Sequence, residues 1–195
     1  MAEGSVDVLE VGDEAPAFEL PDVDGETRAL ADYADDEAVL VVFTCNHCPY
    51  AKAKFDALNR LAADYDDVSV VGINPNDAEE YPDDSVERMR ELVDDGTIAY
   101  DAYLRDEDQS VAAAYGAVCT PDPFLLAVED GSFTVAYHGS LDDAPNPDDE
   151  PSVSYVRQAI DAVRAGEAVD VEGQEARGCS IKWKSGNEPD YWDDL

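Results

Sequence analysis

Residues 38–49 read Ala-Val-Leu-Val-Val-Phe-Thr-Cys-Asn-His-Cys-Pro, and this stretch decides the fold. Residues 38–44 form a continuous apolar run rich in β-branched side chains, which is typical of a strand buried on both faces. The residues that follow, 50–65, carry apolar side chains at helical spacing, namely Phe55, Leu58, Leu61, Ala62 and Tyr65. The sequence therefore predicts a buried strand that passes directly into a helix, with two cysteines at the junction.

The two cysteines at this junction, Cys45 and Cys48, are three residues apart. This spacing is typical of either a reversible disulfide or a metal site. Zinc needs a second close pair of ligands, but Cys119 and Cys179 are far apart in the chain, so we expect no metal. Cys48 directly precedes the helix, where unpaired backbone N–H groups and the helix dipole favour a thiolate. The alternative for Cys48 is an inert, buried thiol.

His47 lies next to Cys48 in the chain. As an imidazolium it would stabilise a neighbouring thiolate and make a disulfide there more oxidising. The alternative is a histidine that faces solvent and has no role. Two further residues belong to the predicted active-site helix: Pro49, at the first helical position that proline favours, and Tyr50. Tyr50 either lines the surface that meets a peptide or is simply exposed.

The rest of the chain alternates strands and helices. The predicted elements are a lead-in over 8–33, a strand over 68–74, a helix over 85–93, an extended segment over 98–104, a short helix over 109–115, a hairpin of 124–128 with 133–138, and a helix over 152–165. Helical crossovers imply parallel strands, and the hairpin adds antiparallel ones. We predict an α/β protein with a central mixed sheet flanked by helices, one domain over 1–165 and a tail over 166–195.

The composition is strongly acidic: 195 residues include 47 Asp and Glu but 12 Lys and Arg, for a net charge of −35. Such a chain will not bind nucleic acid or an anionic membrane non-specifically. Aliphatic and aromatic residues are not depleted, so the chain is folded, and its carboxylate surface needs screening by salt. We hypothesise a halophilic, high-salt cytoplasm. No apolar run approaches about 20 residues, and the start shows no secretory signal, which agrees with a cytoplasmic location.

Together these features resemble the thioredoxin superfamily, in the redoxin (AhpC-TSA) branch shared by thioredoxin-like disulfide reductases and peroxiredoxins. The features are a lead-in at 11–20 with Asp24-Gly25, similar to the N-terminal extension of that branch, the strand–cysteine–helix junction at 38–65, and Thr120-Pro121 before a strand. The chain is also similar to a thioredoxin-like subgroup that carries Asn-His-Cys-Pro and ends in Gly-Cys-Ser-Ile-Lys-Trp-Lys, here residues 178–184. The resemblance implies a thioredoxin-like fold.

The spacing of the family pattern implies that Cys48 occupies the position of the nucleophile. Ala51 then stands where a second thiol would follow in the helix, and Cys45 lies upstream in the loop. The peroxiredoxin pattern Pro-x-x-x-Thr-x-x-Cys also places its reactive cysteine at Cys48. It requires Thr at 45 and Pro at 41, but this chain has Cys45 and Val41, so the hydroxyl that would bind peroxide is missing.

The resemblance implies an oxidoreductase that exchanges thiols and disulfides with a protein substrate. Cys48 attacks, Cys45 resolves the mixed disulfide, a thiol reductant restores the pair, and no cofactor takes part. One alternative is an antioxidant thiol peroxidase that reduces hydroperoxides through Cys48. Another is a binding module with a redox-sensing switch and no turnover. We expect a monomer or a small homo-oligomer.

Three residues outside the junction complete the candidate site. The resemblance implies that Pro121 is a cis-proline lying against the active-site sulfurs, although Pro-Asp-Pro at 121–123 also suits an ordinary turn. Cys119 is either an alternative resolving thiol or a small core residue. Cys179 lies in the tail, and we hypothesise that the tail folds back, with Trp183 as an apolar anchor, to bring Cys179 near the site as another resolving thiol.

Overall fold

The computed structural model describes residues 2–3, 8–171 and 173–194. Within these ranges the elements are β1 (Ala2–Glu3), β2 (Glu19–Pro21), β3 (Thr27–Ala29), β4 (Ala38–Phe43), α1 (Pro49–Lys52), α2 (Phe55–Asp64), β5 (Val68–Asn74), α3 (Val86–Asp94), β6 (Ala102–Arg105), α4 (Ser110–Tyr115), β7 (Cys119–Thr120), β8 (Asp122–Glu129), β9 (Ser132–His138), α5 (Tyr155–Arg164) and β10 (Arg177–Ser180). Short 3-10 turns cover Leu30–Tyr33, Pro82–Asp84 and Asp190–Asp194.

A five-stranded mixed sheet in the order β6-β5-β4-β8-β9 forms the centre of the fold. Strand β4 pairs parallel with β5 and antiparallel with β8, while β6 is parallel to β5 and β9 antiparallel to β8. The parallel part is built by helical crossovers and the antiparallel part by the hairpin, as predicted. The chain thus has a thioredoxin-like α/β fold.

Strand β4 is buried along its whole length because the two faces of the sheet are both covered. Val39, Val41 and Phe43 pack on one face with α4 and the lead-in, whereas Leu40 and Val42 pack on the other face with α2 and α5. Alternate side chains of one strand therefore enter two separate cores. This arrangement fixes the end of β4, and with it the residues that follow, at one edge of the sheet.

The predicted helix over 50–65 is divided into α1 and α2. Lys54, with φ −105° and ψ −5°, is the N-cap residue of α2, and its ammonium donates to the carboxylate of Asp142 at 2.6 Å. The other predicted helices form with well-defined ends. The side chain of Ser85 accepts the N–H of Arg88 at the start of α3, and Gly116 ends α4 with φ 70°. Among the described residues, no helix is both long and apolar enough to cross a bilayer.

The extended segment predicted over 98–104 becomes a strand only at Ala102. The N–H of Ile98 bonds to the carbonyl of Leu92, and the N–H of Ala99 bonds to the side chain of Asn59. Because these amides already have partners outside the sheet, the first part of the segment does not join β5. The part of the segment that pairs with β5 is therefore Ala102–Arg105.

The predicted tail over 166–195 contains β10. This strand pairs antiparallel with β7 and with β1, in a register that places Cys179 opposite Thr120. Beyond it, Ile181 is buried, and Trp183 packs against the main core and against Trp192, with ring centroids 5.8 Å apart. The prediction that the tail folds back with Trp183 as an apolar anchor is confirmed.

Candidate active site

The candidate site is built where β4 ends and α1 begins. Cys48 is the N-cap residue of α1, with φ −70° and ψ 128°, and Pro49 occupies the first helical position. Because α1 contains only four residues, its dipole is weaker than that of the single long helix predicted from the sequence. The carbonyl of Cys48 accepts the N–H of Lys52 at 3.0 Å, so the backbone at Cys48 is fixed by the first turn.

Cys48 forms a disulfide with Cys179, and the Cα atoms of the two residues are 6.2 Å apart. The predicted pairing of Cys48 with Cys45 is therefore not the one that the structure contains. The reason is the pairing of β10 with β7, which places Cys179 opposite Thr120. The carbonyl oxygen of Thr120 in turn lies 3.4 Å from the sulfur of Cys48. A tertiary contact, and not proximity in sequence, selects the partner of Cys48.

Cys45 remains a free thiol and is fully buried. It follows β4 closely, so its side chain still points into the interior, where its sulfur lies 3.1 Å from the hydroxyl of Thr120. Burial raises the pKa of Cys45 to about 11, and the nearby Asp84 carboxylate adds to this effect. At neutral pH this thiol is protonated and a poor nucleophile, which argues against the resolving role predicted for it.

Cys119, the other free thiol, is also fully buried. Burial raises its pKa well above the usual value, and the charge of Asp122 acts in the same direction. Its sulfur is 3.6 Å from the carbonyl of Pro121 and packs with Val118 and Ala176. This environment fits the core residue that the sequence allowed as an alternative, and it disfavours a resolving thiol.

The peptide bond between Thr120 and Pro121 is cis, so the predicted cis-proline is confirmed as a conformation. Thr120 contacts both junction cysteines, one through its hydroxyl and one through its carbonyl. Sequence reasoning singled out Pro121 but missed Thr120, although its place directly before the proline was a usable signal. Pro121 and Tyr50 also line an open cleft of about 520 Å³ that extends to Lys54 and Asp142.

His47 is held by the buried carboxylate of Asp84, which the sequence analysis did not single out. The Nδ1 atom of His47 is 2.6 Å from Asp84, and the imidazole stacks on Tyr81 at a centroid distance of 5.4 Å. The two Asp84 oxygens accept four N–H groups in all, from His47 Nδ1, the backbone of Asn46, Asn74 Nδ2 and Asn76 Nδ2. Asp84 therefore fixes both the orientation of His47 and the start of the loop.

Cys45, His47 and Asp84 bring one possible metal-ligand atom each to within 4.8 Å of one another. Both carboxylate oxygens are already engaged by N–H donors. The group is thus complete as a hydrogen-bond network without an ion. Its chemistry is that of a buried carboxylate that orients an imidazole beside the disulfide.

The substitution Asp84→Asn should lower stability by about 2 kcal/mol, because an amide NH₂ would face N–H groups that now bond to a carboxylate oxygen. Thermal unfolding followed by circular dichroism measures this effect. Asp83→Asn is a matched control, since it is adjacent and exposed and should leave the melting temperature nearly unchanged. Equal melting temperatures for the two variants would contradict the role assigned to Asp84.

Similarity to known proteins identifies the family to which this chain belongs. The model of the AhpC/TSA family matches residues 11–142, and the chain belongs to that family. A hypothetical protein from Sinorhizobium meliloti 1021 is 39% identical, with a TM-score of 0.86 over 95% of this chain and 100% of that one. The expected resemblance to the redoxin branch of the thioredoxin-like proteins is thus confirmed.

Two further relatives carry functional names. A "Putative peroxiredoxin" of Mycobacterium tuberculosis (strain H37Rv) is 33% identical over 118 residues, which are 56% of this chain. The match spans 65% of that relative's own length. The thiol:disulfide interchange protein DsbE of Yersinia pestis is 30% identical over 137 residues, covering 68% of this chain and 66% of the relative.

Proposed function

We propose that this chain is a thiol–disulfide oxidoreductase whose redox couple is Cys48 and Cys179. One observation carries the proposal: a disulfide joins the cysteine at the strand–helix junction to a cysteine 131 residues later, beside a cis-proline. Membership of the AhpC/TSA family and the similarity to a thiol:disulfide interchange protein support it. The pair replaces the Cys45–Cys48 couple that the sequence suggested.

The reaction requires only sulfur chemistry. In the reduced protein one thiolate attacks a substrate disulfide, forms a mixed disulfide and releases one substrate thiolate. The second protein thiol then attacks the protein sulfur of that mixed disulfide, which releases the second substrate thiolate and closes the Cys48–Cys179 bond. Two electrons pass to the substrate, and a thiol reductant returns them to the protein. We place this exchange in a cytoplasm, with a protein as the disulfide-bearing substrate.

Two assays run side by side test the proposal. The wild-type protein with dithiothreitol should accelerate the reduction of insulin disulfides through many turnovers, while it should consume hydrogen peroxide no faster than the reductant does alone. Rapid peroxide loss with slow insulin reduction would instead indicate a thiol peroxidase. Stoichiometric oxidation without turnover in either assay would indicate a redox-sensing module.

The peroxidase is the second candidate because the mycobacterial relative is named a peroxiredoxin. Two observations in this chain weigh against it. Cys45 occupies the position at which the peroxiredoxin pattern has a threonine hydroxyl, and Cys48 is fully buried beneath β10 in the disulfide form. Hydroperoxide reduction would need a strong donor such as a hydroxyl beside the attacking sulfur, whereas position 45 carries a protonated thiol, which is a weak donor.

High-salt adaptation is part of the proposal and rests on the net charge of −35. Self-repulsion among surface carboxylates should destabilise the protein when the Debye length is long. The melting temperature should therefore rise by on the order of 10 °C between 0.1 M and 2 M KCl. Sucrose at matched osmolality controls for effects unrelated to charge. A melting temperature that is the same at both salt concentrations would refute the adaptation.

A further inference from the structure

We infer that external thiols and disulfides react at the sulfur of Cys179, and that Cys48 is the inner sulfur of the couple. The inference rests on the proposed function, since it concerns which of the two sulfurs meets a partner. It reverses the roles that the sequence suggested, in which Cys48 made the first attack. The evidence is the unequal burial of the two cysteines and the anchoring of the strand that carries one of them.

Cys48 has no exposed surface, whereas Cys179 is partly exposed. Cys48 lies inside a buried cluster with Ala51, Phe55 and Met89, and the carbonyl of Thr120 is 3.4 Å from its sulfur. Cys179 packs against the outside of this cluster as a partly buried residue. A thiolate that cleaves a disulfide approaches the attacked sulfur from the side opposite the leaving sulfur, so access to that side decides which sulfur reacts. For Cys48 that approach runs through buried protein.

The strand that covers Cys48 is fixed on both sides of Cys179. Upstream, Gly178 lies so close to β7 that a Cβ on it would be 2.1 Å from the carbonyl oxygen of Thr120. Downstream, the carbonyl of Lys182 accepts the N–H of Asp77 at 2.8 Å, and the N–H of Lys182 bonds to Asn76 at 2.9 Å. Exposing Cys48 would require breaking these contacts, whereas Cys179 is already partly exposed while they are intact.

Reduction of the Cys48–Cys179 bond by a dithiol proceeds in two exchange steps. A reductant thiolate bonds to Cys179 Sγ, the bond between Cys179 and Cys48 breaks, and Cys48 leaves as a thiolate. The second thiol of the reductant then attacks the reductant sulfur of the mixed disulfide, and Cys179 leaves as a thiolate. In the opposite direction Cys179 attacks one sulfur of the substrate disulfide, and the other substrate sulfur leaves as a thiolate. Cys48 then attacks Cys179 Sγ, which releases the second substrate thiolate and closes the Cys48–Cys179 bond. The partner is covalently attached only to Cys179.

The test maps the first mixed disulfide on the wild-type protein. Oxidised protein is mixed with glutathione, quenched with acid after short times, alkylated with N-ethylmaleimide and digested for mass spectrometry. Glutathione should be found on Cys179 at least about tenfold more often than on Cys48. The same reaction in 8 M urea is the control, because unfolding removes the difference in burial and the two sulfurs should then be modified to a similar extent.

The possible failures can be told apart. Glutathione found mainly on Cys48, or equally on both sulfurs of the folded protein, would overturn the inference and leave the proposed function standing. A bridge that neither glutathione nor dithiothreitol reduces in the folded protein would overturn both. A second measurement traps the mixed disulfide in a variant that cannot resolve it. Reduced Cys48→Ser should retain a stable glutathione adduct at Cys179 after exposure to glutathione disulfide. An adduct that fails to accumulate there would contradict the inference.

Discussion

Cys48→Ser should reduce the rate of insulin-disulfide reduction by roughly 100-fold or more, to the background of the reductant alone. A serine hydroxyl cannot form or accept a disulfide, so neither order of attack can complete a cycle. Cys179→Ser should cause a loss of the same size, because the two sulfurs act as one unit and removing either leaves no couple. The measurement is the initial turnover rate with dithiothreitol as the electron source.

Cys119→Ser is the control for this prediction. Cys119 is buried and carries a raised pKa, so it takes no part in the exchange, and its serine variant should keep most of the wild-type rate. Circular dichroism should show that all three variants are folded. Substantial multiple turnover by Cys48→Ser would refute the proposed couple, since the chemistry would then proceed without the Cys48–Cys179 bond.

Gly178→Ala should prevent the Cys48–Cys179 bond from closing in the folded protein. The added Cβ would be 2.1 Å from the carbonyl oxygen and 2.5 Å from the carbonyl carbon of Thr120, and neither backbone atom can yield unless β10 moves away from β7. Losing the bridge should cost about 2–5 kcal/mol of stability under oxidising conditions. Thiol titration of the oxidised, denatured protein should find four free thiols in the variant and two in the wild type.

Ser180→Ala provides the matched control, because it changes a partly exposed residue of the same strand without adding atoms. It should keep two free thiols and a melting temperature close to the wild type. A Gly178→Ala protein that closes the bridge as completely as the control would show that the close approach of β10 to β7 is not required. Thermal unfolding with and without reductant separates two effects of Gly178→Ala. With reductant neither protein contains the bridge, so any remaining difference in melting temperature comes from the strain that the added Cβ causes in β10.

The local elements of the fold could be predicted from sequence because their signals are local. The apolar run 38–44 and the alternating hairpin identify strands, and Ser85 and Gly116 mark helix ends. The break between α1 and α2 could not be predicted, since Lys54 bonds to Asp142, which is 88 positions further along the chain. Apolar periodicity continues across the break and hides it.

The partner of Cys48 could not be chosen from spacing alone. Two thiols three residues apart satisfy the pattern, but the orientation of Cys45 depends on how the chain leaves β4, and that of Cys179 depends on the register of β10. The importance of Asp84 was hidden for the same reason, because its partners at the junction are 37 and 38 positions away. Contacts across such distances are set by the whole fold and leave no local pattern.

Cys179 lies outside residues 11–142, the span that the family model matches. This affects how genome surveys classify chains that carry such a bridge. A census that scores only that span retains Cys48 and discards its partner, so it would group this chain with proteins that work through a single sulfur. Grouping by the presence of a Gly-Cys pair in a strand that follows the matched span would instead gather the chains that share its bridge.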